Sequence, residues 1–151
     1  MSGLYDTDPA LWAERQADAL RRHAHNEIDW ENVAEEIESL TRSDKREIRS
    51  RLVVICAHLL KWQFQPEARS TSWRGSIRES RDAIADLIEE SPSLADYPAT
   101  QLGGSRGAYA RGRISAAEET GIADLPAQSP WTIAQVLDPD FWPEAGQGDA
   151  A

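Results

Sequence analysis

The sequence predicts an all-α fold, a single-domain helical bundle of about five helices over residues 1–145, with a long central helix, a short C-terminal helix and a disordered tail over 146–151. Three observations carry this reading. Apolar residues recur at the helical period in successive segments, charge is sorted by sign between Asp29 and Arg81, and no segment shows the alternation of a half-buried strand. A chain of 151 residues can bury roughly 70% of the surface its unfolded form exposes, enough for one core.

Asp8-Pro9 opens the first helix: Asp accepts orphan amide protons at the N-cap, and Pro at the next position has no amide to lose. Leu11, Trp12 and Leu20 supply its apolar contacts, and it fades near His23-Ala-His25-Asn26. Asp29 caps a second helix whose Trp30, Val33, Ala34, Ile37 and Leu40 fall on one inward stripe. A break at Thr41-Arg42-Ser43 is expected next, with Asp44 and Glu47 as a capping pair for the third helix, which runs to Gln65. The middle of that helix, Leu52 to Leu60, is apolar all round and reads as the buried centre. Ser70 or Ser72 caps a fourth helix, with Trp73, Ile77, Ile84, Leu87 and Ile88 inward and Arg74, Arg78 and Arg81 on a separate stripe; Ser91-Pro92 closes it. Pro98 and the glycines at 103, 104, 107 and 112 predict a broken or kinked helix, clearest from Ser105 to Thr120. Thr132 and Gln135 cap a last short helix through Leu137, and Trp131, Phe141 and Trp142 are placed to latch the C-terminal segment onto the bundle or to form a partner-binding patch.

Acids outnumber bases 26 to 16, a net charge of −10, so the overall field disfavours nucleic acid and anionic membranes. Cys56 is the only cysteine and lies in an apolar run, where a thiol packs as a hydrophobe and no intrachain disulfide can form. No apolar run approaches the ~20 residues of a membrane span, and the first residues lack a leader pattern. The expectation is a soluble, cytoplasmic protein.

The strings Asp29-Trp-Glu-Asn-Val-Ala-Glu-Glu-Ile-Glu-Ser-Leu40, Arg42-Ser-Asp-Lys-Arg46, His58-Leu-Leu-Lys-Trp-Gln63 with Pro66, and Ala116-Ala-Glu-Glu-Thr-Gly121 followed by Leu137-Asp-Pro-Asp-Phe141 run in an order and spacing that resembles a bacterial family, domain of unknown function twenty-nine. The likeness extends from about Tyr5 to Glu144. It implies a bacterial, single-domain, all-helical protein and carries no activity with it. Between Pro98 and Gly112 the chain departs from the more regular helix the resemblance implies.

Several constellations are candidates for chemistry. Lys45, Arg46 and Arg49 follow one expected helix start and Arg74 another, where the dipole disfavours cations by a few tenths to ~1 kcal/mol each. Either Glu31, Glu35, Glu36 and Glu38 face these bases as interhelical ion pairs, or the bases form an exposed groove for a phosphate or an acidic partner. Glu35, Glu36 and Glu38, with His58, are candidate ligands for a divalent metal, although adjacent residues diverge by about 100° around a helix. His58 is a candidate general base and, equally, a core histidine satisfied by one hydrogen bond. Lys61 is expected to snorkel from the end of its helix, and Trp73 with Arg74, Arg78 and Lys61 makes a candidate binding surface. His23 and His25 read as solvated turn residues, and Gly103-Gly-Ser-Arg-Gly107 lacks the spacing and the lysine of a phosphate loop.

Two functional readings follow. The first is a noncatalytic interaction or regulatory module, antitoxin-like in that an acidic face masks a basic protein partner, and needing no cofactor. The second is a metal-dependent hydrolase or nuclease using Mg or Mn, with His58 as base and Arg74 and Arg78 as phosphate anchors.

Overall fold

The computed structural model describes residues 3–145; the tail expected at 146–151 lies outside them. Among the described residues every regular element is helical: α1 (Leu4–Thr7), α2 (Pro9–Arg21), α3 (Trp30–Phe64), α4 (Thr71–Glu90), α5 (Tyr97–Leu102), α6 (Ala108–Thr120) and α7 (Ile133–Leu137), with short 3-10 turns at residues 25–27, 66–68 and 92–94. The chain forms two compact units whose boundary in the sequence falls between Ser43 and Asp44.

The break expected at Thr41-Arg42-Ser43 is absent, and α3 runs through it as one helix of 35 residues. Thr, Arg and Ser each cost no more than about 0.7 kcal/mol in a helix interior, and neither Gly nor Pro occurs between Trp30 and Phe64 to stop it. Asp44 and Glu47 consequently cap nothing; Glu47 pairs with Arg51 at 2.9 Å, one turn on. Lys45, Arg46 and Arg49 therefore lie in a helix interior, where the dipole penalty of a helix start does not reach them. Of the acids expected to face these bases, Glu35 and Glu38 pair with Arg42 of their own helix and Glu36 accepts from Tyr5.

In the first unit Asp8 accepts the Leu11 amide at 3.0 Å and Pro9 occupies the first position of α2, as the sequence predicts. α2 ends through His23, which adopts a left-handed backbone (φ 57°), while the amides of His23 and Ala24 reach the Leu20 and Ala19 carbonyls. Asp29 starts α3 by accepting from Asn32, and it also accepts from the Trp12 indole at 3.1 Å. These bonds, that from the Asn32 side chain foremost, hold its carboxyl below the usual range. Trp12, Ala19 and Ile28 form the unit's small buried centre, with the Tyr5 ring edge-on to Trp12.

In the second unit α3 from Ile48 to Leu60 is the centre of the core, and it contains the stretch from Leu52 to Leu60 that the sequence marks as buried. Each fully buried Leu or Ile there contributes roughly 1.5–3 kcal/mol. Ile77 and Ile84 of α4, Tyr109 and Ala116 of α6, and Leu125, Trp131 and Val136 close around it. Gly112 allows a tight crossing of α6 on α3: a Cβ there would stand 2.8 Å from Cys56 Cβ and 2.9 Å from the Ala57 amide nitrogen. Gly121, at φ 76°, ends α6 where the sequence places its end. Ser70 caps α4, Thr132 and Gln135 form a full capping box on α7, and Trp142 packs on Trp62 at 4.8 Å, latching the C-terminal segment to the core.

Candidate functional site

The second unit brings His58, Lys61 and Trp73 together around a residue the sequence did not connect with them, Glu119 of α6. Lys61 does not snorkel. It is 5% exposed, donates to Glu119 Oε2 at 2.6 Å and lies 5.3 Å from the centre of the Trp73 ring. The bond from Lys61 holds the Glu119 carboxyl below its ordinary range. Docking of α6 against α3 explains the burial, because it supplies the lysine with an anion before its stem reaches water.

His58 is half-buried, one turn before Lys61 on α3. Its Nδ1 lies 2.9 Å from the Val54 carbonyl, which can only accept, so Nδ1 carries the proton and Nε2 presents its lone pair. Burial lowers its basicity, the charge of Lys61 adds to the effect, and the Val54 bond and Glu119 oppose it. The result is a neutral imidazole satisfied by one bond, with no nucleophile or acid hydrogen-bonded to it among the described residues.

The arginine stripe of α4 divides. Arg74 and Arg78 are exposed, and Arg74 lies over Trp62 and Trp142 at 5.3 and 5.0 Å. Arg81, expected on the same outward stripe, is instead 4% exposed: α7 docks over it, and its Nε and Nη2 donate to the Val136 and Gln135 carbonyls at 2.8 and 3.3 Å. A cation there suits the negative end of α7, and desolvation lowers its pKa. The groove beside Arg74 and Arg78, about 360 Å³, is lined by Arg81, Asp82 and Asp140 as well, so two carboxylates offset most of the charge of its three arginines.

In the first unit the three candidate metal ligands do not converge. Glu35 pairs with Arg42 at 2.6 Å, Glu38 lies 3.8 Å from the same guanidinium, and Glu36 accepts from the Tyr5 hydroxyl at 2.5 Å. That hydrogen bond, followed by burial and the charge of Glu36, pushes the Tyr5 hydroxyl up to about 12. Among the described residues no group of three His, Cys, Asp or Glu is placed to hold a metal ion.

The stripe expected to face inward from the first half of α3 faces outward. Trp30 is 56%, Ile37 62% and Leu40 66% exposed, with half-buried Val33 between them. The hydrogen bonds this segment receives, Tyr5 to Glu36 and Trp12 to Asp29, fall on its polar residues; His25 stacks on one face of the Trp30 ring at 6.1 Å, and Ile37 and Leu40 are left to solvent. The spacing of 30, 33, 37 and 40 is that of a coiled-coil seam.

A model of the family described as domain of unknown function DUF29 matches residues 4–142. The chain belongs to the DUF29 family. No curated protein and no solved structure matches it. The DUF29 match takes in the exposed stripe of α3, the His58 and Lys61 pair, and the Trp142 latch. Within this DUF29 chain the irregular stretch is real: where the resemblance implies a regular helix, Leu102 ends α5 and α6 starts only at Ala108. Among the described residues no helix is long and apolar enough to cross a membrane.

Proposed function

We propose that this DUF29 protein is a noncatalytic protein-binding module, and that the outward stripe of α3 receives a basic amphipathic helix of another protein. The carrying observation is the stripe itself: Trp30, Ile37 and Leu40 stand more than half exposed at coiled-coil spacing. Isolated surface hydrophobes are ordinary, but a large aromatic and two aliphatics on one helical line make a docking face. Charge selects the partner. Residues 1–43 carry ten acids against four bases, so a basic helix is attracted and an acidic one repelled. The antitoxin-like reading, in which an acidic face masks a basic protein, has the same support. Arg74 and Arg78 are weaker docking candidates, because their groove mixes both signs. The hydrolase reading loses support, since Glu35, Glu36 and Glu38 turn to Arg42 and Tyr5.

The test is a titration with two synthetic amphipathic helices that share one leucine heptad, one rich in Lys and one rich in Glu. The Lys-rich peptide should bind, and the variant Trp30→Ser/Ile37→Ser/Leu40→Ser should weaken it by about tenfold or more. Equal binding of both peptides, or undiminished binding by the serine variant, would refute the proposal. So would sedimentation showing that the wild-type protein self-associates through this stripe, for then a second copy covers it.

A further inference from the structure

In the second unit a cleft of about 530 Å³ lies between α3 and α6, and four arginines line it: Arg46 and Arg49 of α3, Arg106 of the loop before α6, and Arg111 of α6. Ser50 and Gln101 add a hydroxyl and an amide, and no carboxylate is among the lining residues. None of the four guanidiniums has a carboxylate oxygen within 4.0 Å among the described residues, in a chain where acids outnumber bases 26 to 16. Arg22, Arg42 and Arg51 do have carboxylate partners; Arg74 and Arg78 have none within 4.0 Å among the described residues, but their groove contains Asp82 and Asp140, whereas this cleft contains no acid. Four cations around one space repel one another, and an anion seated among them reverses the sign of every one of those terms.

The walls are held in place before any ligand arrives. Arg49 donates to the Tyr97 hydroxyl at 2.6 Å, and Lys45 brings a fifth cation to 5.3 Å from the same ring. Next to Arg111, Gly112 lets α6 approach the α3 backbone so closely that the two helices cannot slide apart without losing the core contacts at Cys56 and Ala57. Ala108, the first residue of α6, also lines the cleft, and its N-cap Gly107 brings no side chain to neutralise the positive end of the helix.

We infer that this cleft binds a soluble phosphorylated small molecule through a di- or triphosphate group. Guanidinium forks match phosphate oxygens two at a time, and charges arriving from two helices and a loop surround a tetrahedral, multiply charged group better than a planar carboxylate. The volume falls in the range of small-molecule sites and exceeds what one phosphate fills, which leaves Ser50 and Gln101 for the neutral part of the ligand.

The experiment is calorimetric titration of the full chain with sodium pyrophosphate at constant ionic strength, with orthophosphate and a nucleoside triphosphate alongside. Pyrophosphate should bind saturably at one site and more tightly than orthophosphate. Arg46→Gln/Arg111→Gln should weaken it by about tenfold or more, while Arg74→Gln/Arg78→Gln, on the other basic surface, should leave it unchanged. All four side chains are exposed, so both variants should keep the wild-type circular dichroism; Arg106→Gln, in the loop, is a second probe if the first pair does not fold. Absence of saturable binding at millimolar pyrophosphate, or equal weakening by both pairs, would overturn the assignment. Tighter binding to vesicles carrying a bisphosphorylated inositol lipid than to pyrophosphate, through the same arginines, would overturn the soluble ligand. The serine variant of the α3 stripe should bind pyrophosphate as the wild type does, so this site stands or falls separately from peptide docking.

Discussion

His58 donates through Nδ1 to the Val54 carbonyl and is held neutral by its surroundings, which makes it a sensor of acid in the folding equilibrium. Its pKa in the folded chain lies below the ordinary 6.5, so between those two values the unfolded chain binds the proton and the folded chain does not. Stability contributed by the neutral ring is therefore present above pH 6.5 and declines as pH falls toward the folded value. Urea denaturation of the wild type and of His58→Gln should show a steeper loss in the wild type across that window; parallel curves would mean the ring titrates alike in both states. Lys61 gives a second prediction. Glu119→Gln leaves a buried ammonium with a weaker partner and should cost roughly 1–3 kcal/mol, and adding Lys61→Met should recover part of it. The half-buried setting of His58 was legible in its aliphatic neighbours. The fate of Lys61 was not, because its partner lies 58 residues away and nothing local to Lys61 names Glu119.

Helix ends were legible where a single side chain decides them. Asp8, Ser70 and the Thr132–Gln135 pair all cap as their types dictate, since the bond each makes spans only three residues. Thr41-Arg42-Ser43 misled because residues of modest helix preference permit a break without requiring one, and helix hydrogen bonds on both sides carry α3 across. The close of α2 offers a direct test. His23 holds a left-handed backbone that glycine adopts without penalty, so His23→Gly should raise stability by about 0.5–1 kcal/mol in thermal or urea unfolding. Gly112 should behave in the opposite way. Alanine is the better helix former, but its methyl would meet Cys56 and Ala57 below 3.0 Å, and overpacking of this kind costs about 1–3 kcal/mol. A Gly112→Ala variant as stable as the wild type would show that the two helices can part at little cost.

Across the whole chain, segregation of charge was plain in the sequence, but the partners of those charges were not. Periodicity gives the face a residue occupies; it does not say which faces are covered, and so the spacing of Trp30, Ile37 and Leu40 predicts an inward stripe although all three are more than half exposed. The same gap divides the arginine cleft: the sequence offers Arg46 and Arg49 as one side of a basic groove, but Arg106 and Arg111 join them only once α6 lies on α3. Salt separates the two surfaces. The attraction of the acidic first 43 residues for a basic helix acts largely through water and is screened within about 8 Å at physiological ionic strength, whereas burial of Trp30 and Leu40 is not screened. Raising salt from about 0.05 to about 0.5 M should therefore weaken the Lys-rich peptide only to a residual affinity, one that Leu40→Ser removes. Pyrophosphate, held by charge on four arginines, should lose far more over the same range. Measured on one sample, peptide binding that vanishes with salt as fully as pyrophosphate binding would mean that the exposed stripe of α3 contributes no contact of its own.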